Sequence, residues 1–477
     1  MNYRILKRTK RNGKHSRNHT KKHHQPQSIK GKMSKFCGAS PREGLVKSKF
    51  CGVEDVAKYK QKNGWICVEI RGSSYERGFA HGYLLHKNLA KLFECLPFKV
   101  KEDFKKTYDE YLRFSKEFIS PVVRAKYPEF YDEIRGISAG AAKKRVHFPI
   151  DDLIAWNAYM TLYSYFVDGG YEKIEKCSAF IATGSSTKTG EIIMAHNTHC
   201  SFVDGQFFNI ILRVIPEKGI PFKMQTAPGL ISSTTDWFVT DAGIIGCETT
   251  IAGIKNKPRI LESPYFCRIR EAMQYGRTID EYFTIMRADN AGDYSCSWLF
   301  GNINTGEIAR LELGINSALE ERTNNGYYIG MNSPINDAFR IHETDDLQHK
   351  NAKFSVGSRY IRLEQLLEKG GITIESSRKI ISDHYDIYEN RINPSIHTIC
   401  KHNENDGSGI EKKYAIRGAV DGKVISSSMA KRGEFYGRFG SSCGRAFSIK
   451  HHIKKHPEYS EYAKYVVDFP TQKWTIL

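Results

Sequence analysis

A thiol and an amine carried by one residue make a self-sufficient nucleophile, and Cys177 is placed to become such a residue. It follows the polar stretch Gly170–Lys176 and opens the strand-like run Ser178–Thr183. If the chain were cut before Cys177, the freed α-amine, titrating at about 7.7–8.0 in model systems, would take the thiol proton without a separate histidine. The same thiol is suited to make that cut by attacking the Lys176 carbonyl. A cysteine at a strand start is also an ordinary core residue, so residue type alone leaves both readings open. One hairpin later stands His196-Asn197-Thr198-His199-Cys200. His196, His199 and Cys200 are metal-ligating types, but on an extended strand His199 and Cys200 point to opposite faces and would not share one ion. His196 and His199 also read as satisfied polar residues at a strand end. Asn332, before Ser333-Pro334, fits turn chemistry, and Arg359 and Arg362 fit the exposed side of a helix. Asp236-Trp237 reads as a structural anchor. Phe435–Gly444 is glycine-rich without the lysine of a phosphate-binding loop and reads as a loop.

The elements that would carry these residues change character along the chain. Trp65–Ile70 has the pattern of a short strand, and Ser73-Ser-Tyr-Glu76 has capping-box spacing, so a helix is expected next. Leu85, Leu89, Leu92 and Leu96 fall on one face of it. A second helix is expected from about Pro128, with the small residues Gly136, Ala139 and Gly140 suited to close packing. A third is expected over 151–163, with Asp151 and Asp152 favouring its start. Beyond Lys176 short strands dominate. Ser178–Thr183 with Ile192–Ala195, and Trp237–Thr240 with Ile244–Thr250, read as hairpins. Phe208–Ile215 and the pair Ser297–Asn302 with Ile308–Leu313 add strands. Helices return over 263–275, 279–287 and 358–369. Helices first, then hairpins interleaved with helices, argue for a layered α+β fold with antiparallel sheets.

Several separated segments, taken in order, resemble the phospholipase B-like family of N-terminal-nucleophile hydrolases, whose relatives include choloylglycine hydrolases and penicillin-acylating acyltransferases. They are GWICVEIRG (64–72), CSAFIA (177–182), AHNT (195–198) and LISSTTDWFVTDAGIIGCETT (230–250), then Asn332-Ser-Pro334, Ser358-Arg359 and GAVDGKVISSSMA (418–430). The helical segment PEFYDEIRGISAGA (128–141) is similar to the acyltransferase branch. The resemblance implies a four-layer αββα sandwich and amide or ester acyl hydrolysis by a Cys177 nucleophile freed by self-cleavage after Lys176. It implies no cofactor and no metal, and favours acyl-lipid or N-acyl substrates. Carried over by position, it puts His196 and Asn197 on the adjacent strand, orienting nucleophile or substrate, and Thr250 near the oxyanion. Asn332 would donate to the oxyanion and Arg359 would order the site through charge-assisted hydrogen bonds. This chain departs from the family at His199: the phospholipase B-like pattern reads His-Asn-Thr-Trp, and choloylglycine-type relatives carry Arg-Asn-x-Asp. His199 is therefore expected to alter substrate fit or proton balance.

Composition bounds the rest. Of the 477 residues, 40% are hydrophobic and 12% aromatic, which excludes wholesale disorder. The net charge of +19 is unevenly placed. Residues 1–63 hold 18 Lys+Arg against Glu43, Glu54 and Asp55, a net of +15, while the remainder holds 54 against 50. Residues 1–63 are thus expected to be a disordered basic tail, either a solubilising extension or an arm for polyanions such as nucleic acid or acidic membrane. Residues 64–176 would form a mainly helical fragment and 177–477 the catalytic chain. The pentapeptide SKFCG occurs at 34–38 and 48–52 without the CxxC pairing of a zinc site. The tail lacks the apolar core of a secretory signal, and the eleven cysteines form no regular framework. Both features fit a reducing intracellular compartment, although the family resembled is mostly secreted or lysosomal. No apolar stretch is long enough for a transmembrane helix. Two rival readings are a catalytically silent relative and a polyanion-binding protein acting through the tail.

Overall fold

The computed structural model describes residues 44–45, 57–167, 177–233, 237–345, 349–405 and 416–477. Lys176, Asp236, the stretch Gly170–Lys176 and both SKFCG copies lie outside them, as does most of the basic tail. The tail boundary needs correction. Ala57–Lys62 is a strand paired antiparallel with Trp65–Gly72, so ordered structure begins before residue 63. The local signal is Asn63-Gly64, whose φ values of 47° and 82° are those of a two-residue hairpin turn.

The described residues form one compact unit. A ten-stranded sheet runs in the order Gly44–Leu45, Ala57–Lys62, Trp65–Gly72, Ile210–Pro216, Phe222–Thr226, Phe238–Thr240, Ile244–Thr250, Cys296–Asn302, Glu307–Leu313 and Ala318–Thr323. A six-stranded sheet runs Gly326–Gly330, Ser178–Gly184, Gly190–Asn197, Asp421–Ser426, Tyr436–Phe439 and Thr475–Ile476. Side chains alternate across the second sheet. Ala179, Ile181, Ile192 and Met194 face the ten-stranded sheet in a core shared with Cys247, Trp298 and Leu299. Phe180, Ala182, Ile193 and Ala195 face away, against Tyr360, Leu363 and Leu367 of the helix Ser355–Leu367. Helices Ser74–Phe104, Tyr265–Tyr275 and Ile279–Arg287 share the core of the ten-stranded sheet. The architecture is a four-layer αββα sandwich, as expected.

Two details differ from expectation. Trp65–Gly72 pairs parallel to Ile210–Pro216, so the larger sheet is mixed. A parallel pair needs a long crossover, and here the whole helical segment and the first central hairpin lie between the two strands. The helix expected over 151–163 is two, Ile150–Asn157 and Tyr159–Phe166, broken at Ala158 (φ −88°, ψ 11°). Buried Asn157 is fully engaged there: Nδ2 donates to the carbonyls of Leu153 and Gly229, and Oδ1 accepts from Ile231 N–H.

The helical layer is built as its sequence implies. The Ser73–Glu76 capping box is formed, and Leu85, Leu89, Leu92 and Leu96 are buried. The helix Pro128–Lys143 crosses Ser74–Phe104 through Gly78 and Gly82 on one side and Gly136 and Gly140 on the other. A methyl group at any of the four would collide with the facing backbone, including the Glu133, Ile137, Tyr75 and Phe79 carbonyls. Below this crossing, buried Glu133 bridges Arg77 (2.8 Å) and Arg270 (2.9 Å), tying both helices to Tyr265–Tyr275.

Candidate functional site

The first central hairpin sets the geometry. Ser178 pairs with Asn197 and Ala179 with His196, so Ser178 and Asn197 share the outer face and His196 the inner one. Cys177 immediately precedes the strand, is 5% exposed, and by alternation lies with His196 on the inner side. The two are diagonal neighbours across the pair.

On the outer face Arg359 is the organising residue. Its helix, Ser355–Leu367, packs on the sheet and buries the guanidinium completely, so it is not the exposed helical arginine its spacing allows. Nη1 donates to the Cys177 carbonyl (2.7 Å) and to Ser178 Oγ (3.0 Å). Nη2 donates to the Met331 carbonyl (3.0 Å) and to Asn332 Oδ1 (3.1 Å). One rigid fork therefore joins the Cys177 end of the strand to the Asn332 turn. Asn332 has φ +76°, a left-handed conformation that asparagine tolerates well. Its Nδ2 donates to the Thr250 carbonyl at 2.8 Å. Turn chemistry and a polar role thus coexist in this residue. Arg362, one turn further on, pairs with Asp383 at 2.8 Å.

Asn197 is equally constrained. Oδ1 accepts from Ser178 N–H (3.0 Å), and Nδ2 donates to the carbonyls of Ile381 (3.0 Å) and Ile399 (2.8 Å). Thr250 ends the strand Ile244–Thr250, and its hydroxyl lies 2.6 Å from the Tyr294 hydroxyl, which donates to Glu248 Oε1 (2.9 Å). Because Tyr294 gives its proton to the carboxylate, Thr250 is the donor in the first contact.

The histidines differ from one another. His196 Nε2 meets the Glu248 carbonyl at 2.9 Å and so bridges the two sheets. A carbonyl only accepts, so Nε2 carries the proton and Nδ1 is a buried lone pair without a partner. Burial, reinforced by the Lys423 charge, pushes its pKa well below the usual range, and it stays neutral. His199 is not on that strand but opens a separate one, His199–Ser201, paired with Arg417–Ala419. It is 1% exposed, and burial with the Lys401, Arg417 and Arg359 charges holds it neutral too. Asn403 faces it, yet neither side chain closes a hydrogen bond of good geometry, leaving both ring nitrogens of His199 and both amide atoms of Asn403 unsatisfied. Trp237 is buried against Phe435 and lies 6.5 Å from the His196 ring, as an anchor should.

Sequence reasoning singled out Cys177, Asn197, Thr250, Asn332 and Arg359, which the structure joins in one hydrogen-bonded network, while Lys176 lies outside the described residues. It missed Glu248, Tyr294 and the fully buried pair Asp421–Lys423 (2.8 Å), which holds Thr198 by both its N–H and its hydroxyl. Asp421 and Lys423 alternate on one strand inside a run that resembles the family, which was the available signal. The trio His196, His199 and Cys200 does not form a ligand set. A different group does: one atom from each of His384, Cys400, His402 and Cys443 lies within 4.8 Å of all the others.

No protein-family model matches the chain. An uncharacterized protein of Archaeoglobus fulgidus is 23% identical over 255 residues, which cover 50% of this chain and 41% of that protein. The chain therefore spans less than half of that relative's length. Among solved structures, penicillin V acylase from Agrobacterium tumefaciens is similar with a TM-score of 0.32 and 10% identity, over 55% of this chain and 82% of that one. A mutant of the conjugated bile acid hydrolase of Clostridium perfringens is similar with a TM-score of 0.33 and 11% identity, over 55% and 89%. With scores and identity this low, the reading of the site rests on its own residues.

Proposed function

We propose that the chain is a phospholipase B-like hydrolase of amide or ester acyl bonds, acting through Cys177 as a self-processed N-terminal nucleophile. The observation that carries this reading is the Arg359 fork, which gathers the adjacent Cys177 and Ser178 and the distant Asn332 at one strand end. A planar guanidinium presents its donors in a fixed fork, so the acceptors it holds are fixed relative to one another.

In processing, Cys177 Sγ attacks the Lys176 carbonyl carbon, the peptide C–N bond breaks, and the Cys177 nitrogen leaves with a proton as the new α-amine. Water then hydrolyses the Lys176 thioester. In turnover that amine takes the thiol proton, the thiolate attacks the acyl carbonyl, and the leaving amine or alcohol departs protonated. Water releases the acid from the acyl-enzyme. The Asn332 amide stabilises the oxyanion, a contribution of about 2.7–4 kcal/mol for one donor. Arg359 is a positioning residue. Asn197 fixes the first strand residue after the nucleophile, His196 offers its Nδ1 lone pair on the nucleophile's side, and Thr250 anchors the Asn332 amide through its carbonyl. His199 and Asn403 supply spare polar capacity for substrate recognition. Residues 64–176 stay with 177–477 after the cut, because the strand Trp65–Gly72 is hydrogen-bonded within the ten-stranded sheet to Ile210–Pro216.

The test is to trap the acyl-enzyme. The processed protein is mixed with N-acyl amides or lysophospholipids, quenched in acid and weighed. The fragment beginning at Cys177 is expected to gain one acyl mass, and Cys177→Ala to gain none. Processed protein that neither acquires an acyl mass nor releases acid from either class would overturn the reading.

A further inference from the structure

We propose that His384, Cys400, His402 and Cys443 bind one zinc-class divalent cation in a closed tetrahedral set of two thiolates and two imidazoles. The geometry is that of a coordination shell. His402 Nε2 lies 3.4 Å from Cys400 Sγ, 3.5 Å from Cys443 Sγ and 3.2 Å from His384 Nε2. Zinc–sulfur bonds of about 2.3 Å and zinc–nitrogen bonds of about 2.0–2.1 Å in a tetrahedron imply edges of roughly 3.5 Å between N and S and roughly 3.3 Å between two N. The three contacts agree to within a few tenths of an ångström.

Hydrogen bonding does not account for this convergence. An imidazole nitrogen carries either one proton or one lone pair, so it cannot serve three neighbours at once. Moreover, His402 Nδ1 meets Glu404 Oε1 at 2.6 Å. A carboxylate accepts, so Nδ1 holds the proton and Nε2 presents its lone pair to the centre of the cluster. A carboxylate fixing the tautomer of a ligating histidine is the usual support of such sites. Around Cys443 the Arg445 N–H (3.4 Å) and the Ser441 hydroxyl (3.3 Å) lie within reach of the sulfur, as suits a thiolate. The two sulfurs are free, not bridged. Cys400 and His402 are buried, while His384 and Cys443 border an open cleft of about 710 Å³ that gives an ion a way in. Four protein ligands leave no open position, so the ion's role is structural.

Its place in the fold says what it holds. The ligands come from three stretches: one after the helix Ile374–Ile380, one at Cys400-Lys-His402, and one in the loop after Tyr436–Phe439. The Ile381 and Ile399 carbonyls, three and one residues from ligands, are the acceptors of Asn197 Nδ2. Ser442, beside Cys443, donates to the same Ile381 carbonyl at 2.6 Å. The cation would staple the floor on which Asn197 rests. The expectation of no metal missed this group because its ligands follow no CxxC or HxxxH spacing; only Cys400-x-His402 is local.

Elemental analysis of the full chain, purified under reducing conditions without chelator, tests the site without reference to acyl chemistry. About one zinc per chain is expected in the wild type and in Cys177→Ala, and well under half in Cys443→Ser. Should that variant fail to fold, cobalt replaces zinc in the wild type. Tetrahedral thiolate coordination then gives intense visible bands and a near-ultraviolet sulfur-to-cobalt band. Protein without zinc that also gives no such spectrum, or a Cys400–Cys443 disulfide in peptide maps of the non-reduced protein, would overturn the proposal. Either result leaves processing at Cys177 to be judged separately.

Discussion

Arg359 is the residue on which the site turns, and its replacement by lysine is the sharpest single-residue test. An ammonium is a point donor and cannot span the Cys177 carbonyl, Ser178 Oγ, the Met331 carbonyl and Asn332 Oδ1 together. Each buried acceptor left without its donor costs about 1–3 kcal/mol. Arg359→Lys is expected to lower unfolding free energy by about 3 kcal/mol in denaturant melts and to slow processing at least about tenfold at a temperature where it remains folded. Unchanged processing in a folded Arg359→Lys protein would show that the fork does not serve the nucleophile. At this scale much was legible: Cys177, Asn197, Asn332 and Arg359 stand in recognisable contexts, and the structure joins them. Glu248 and Tyr294 were not legible. Their link to Thr250 runs between a strand and the loop preceding its neighbour, 44 and 46 residues apart in sequence, and no local pattern encodes it.

Among the elements, the crossing of Ser74–Phe104 with Pro128–Lys143 is set by four glycines, and one added side chain tests it. Gly140→Val drives a β-branched group into the Phe79 backbone, which belongs to a helix and cannot give way cheaply. A loss of about 3 kcal/mol is expected, at the upper end for overpacked cores, read as a lower denaturation midpoint at unchanged slope. A substitution here without effect would mean that the helices do not pack this closely. The helix itself announced its start through Ser73–Glu76 and its buried face through four leucines. The hairpin at Asn63-Gly64 is equally explicit, although it lies among basic residues that carry no turn signal of their own. The break at Ala158 had no signal, because alanine is a good helix former; the kink is imposed by Asn157 reaching the loop at Gly229 and Ile231.

Across the whole molecule, burial of ionisable groups sets how stability follows pH. His81 is pushed down to about 4 by burial, and His196 and His199 well below their usual value by burial and nearby cations. The unfolded chain takes these protons at about pH 6.5 and the folded chain only at lower pH. Their contribution is therefore complete above pH 6.5 and lost as pH falls toward the folded values, at up to about 1.4 kcal/mol per pH unit for each histidine. Asp204 and Glu312, raised chiefly by burial, titrate in the opposite sense, so the useful measurement is a difference. His199→Asn is expected to flatten the pH dependence of the melting temperature between pH 6.5 and 5 by one proton's worth; parallel curves would contradict it. Glu133 is the complementary case. Burial opposes its charge, but the Arg270 and Arg77 charges outweigh that and hold the carboxyl below its usual range. Glu133→Gln takes the paired carboxylate from buried Arg270, while Arg77 keeps Glu129 at 3.2 Å, and is expected to cost about 3–5 kcal/mol at neutral pH. The layered architecture was legible from the order of helices and hairpins, whereas the parallel pairing of Trp65–Gly72 with Ile210–Pro216 was not, since strands whose partners, such as Ile66 and Ile210, are so far apart in sequence declare no pairing there. The claim on which the rest depends is that Cys177 becomes an N-terminus, and intact-mass measurement with N-terminal sequencing tests it directly. Two fragments, one beginning Cys-Ser-Ala-Phe and absent from Cys177→Ala, are predicted. A single uncut chain in both proteins, at neutral and at acid pH, would contradict it and leave Cys177 a core cysteine.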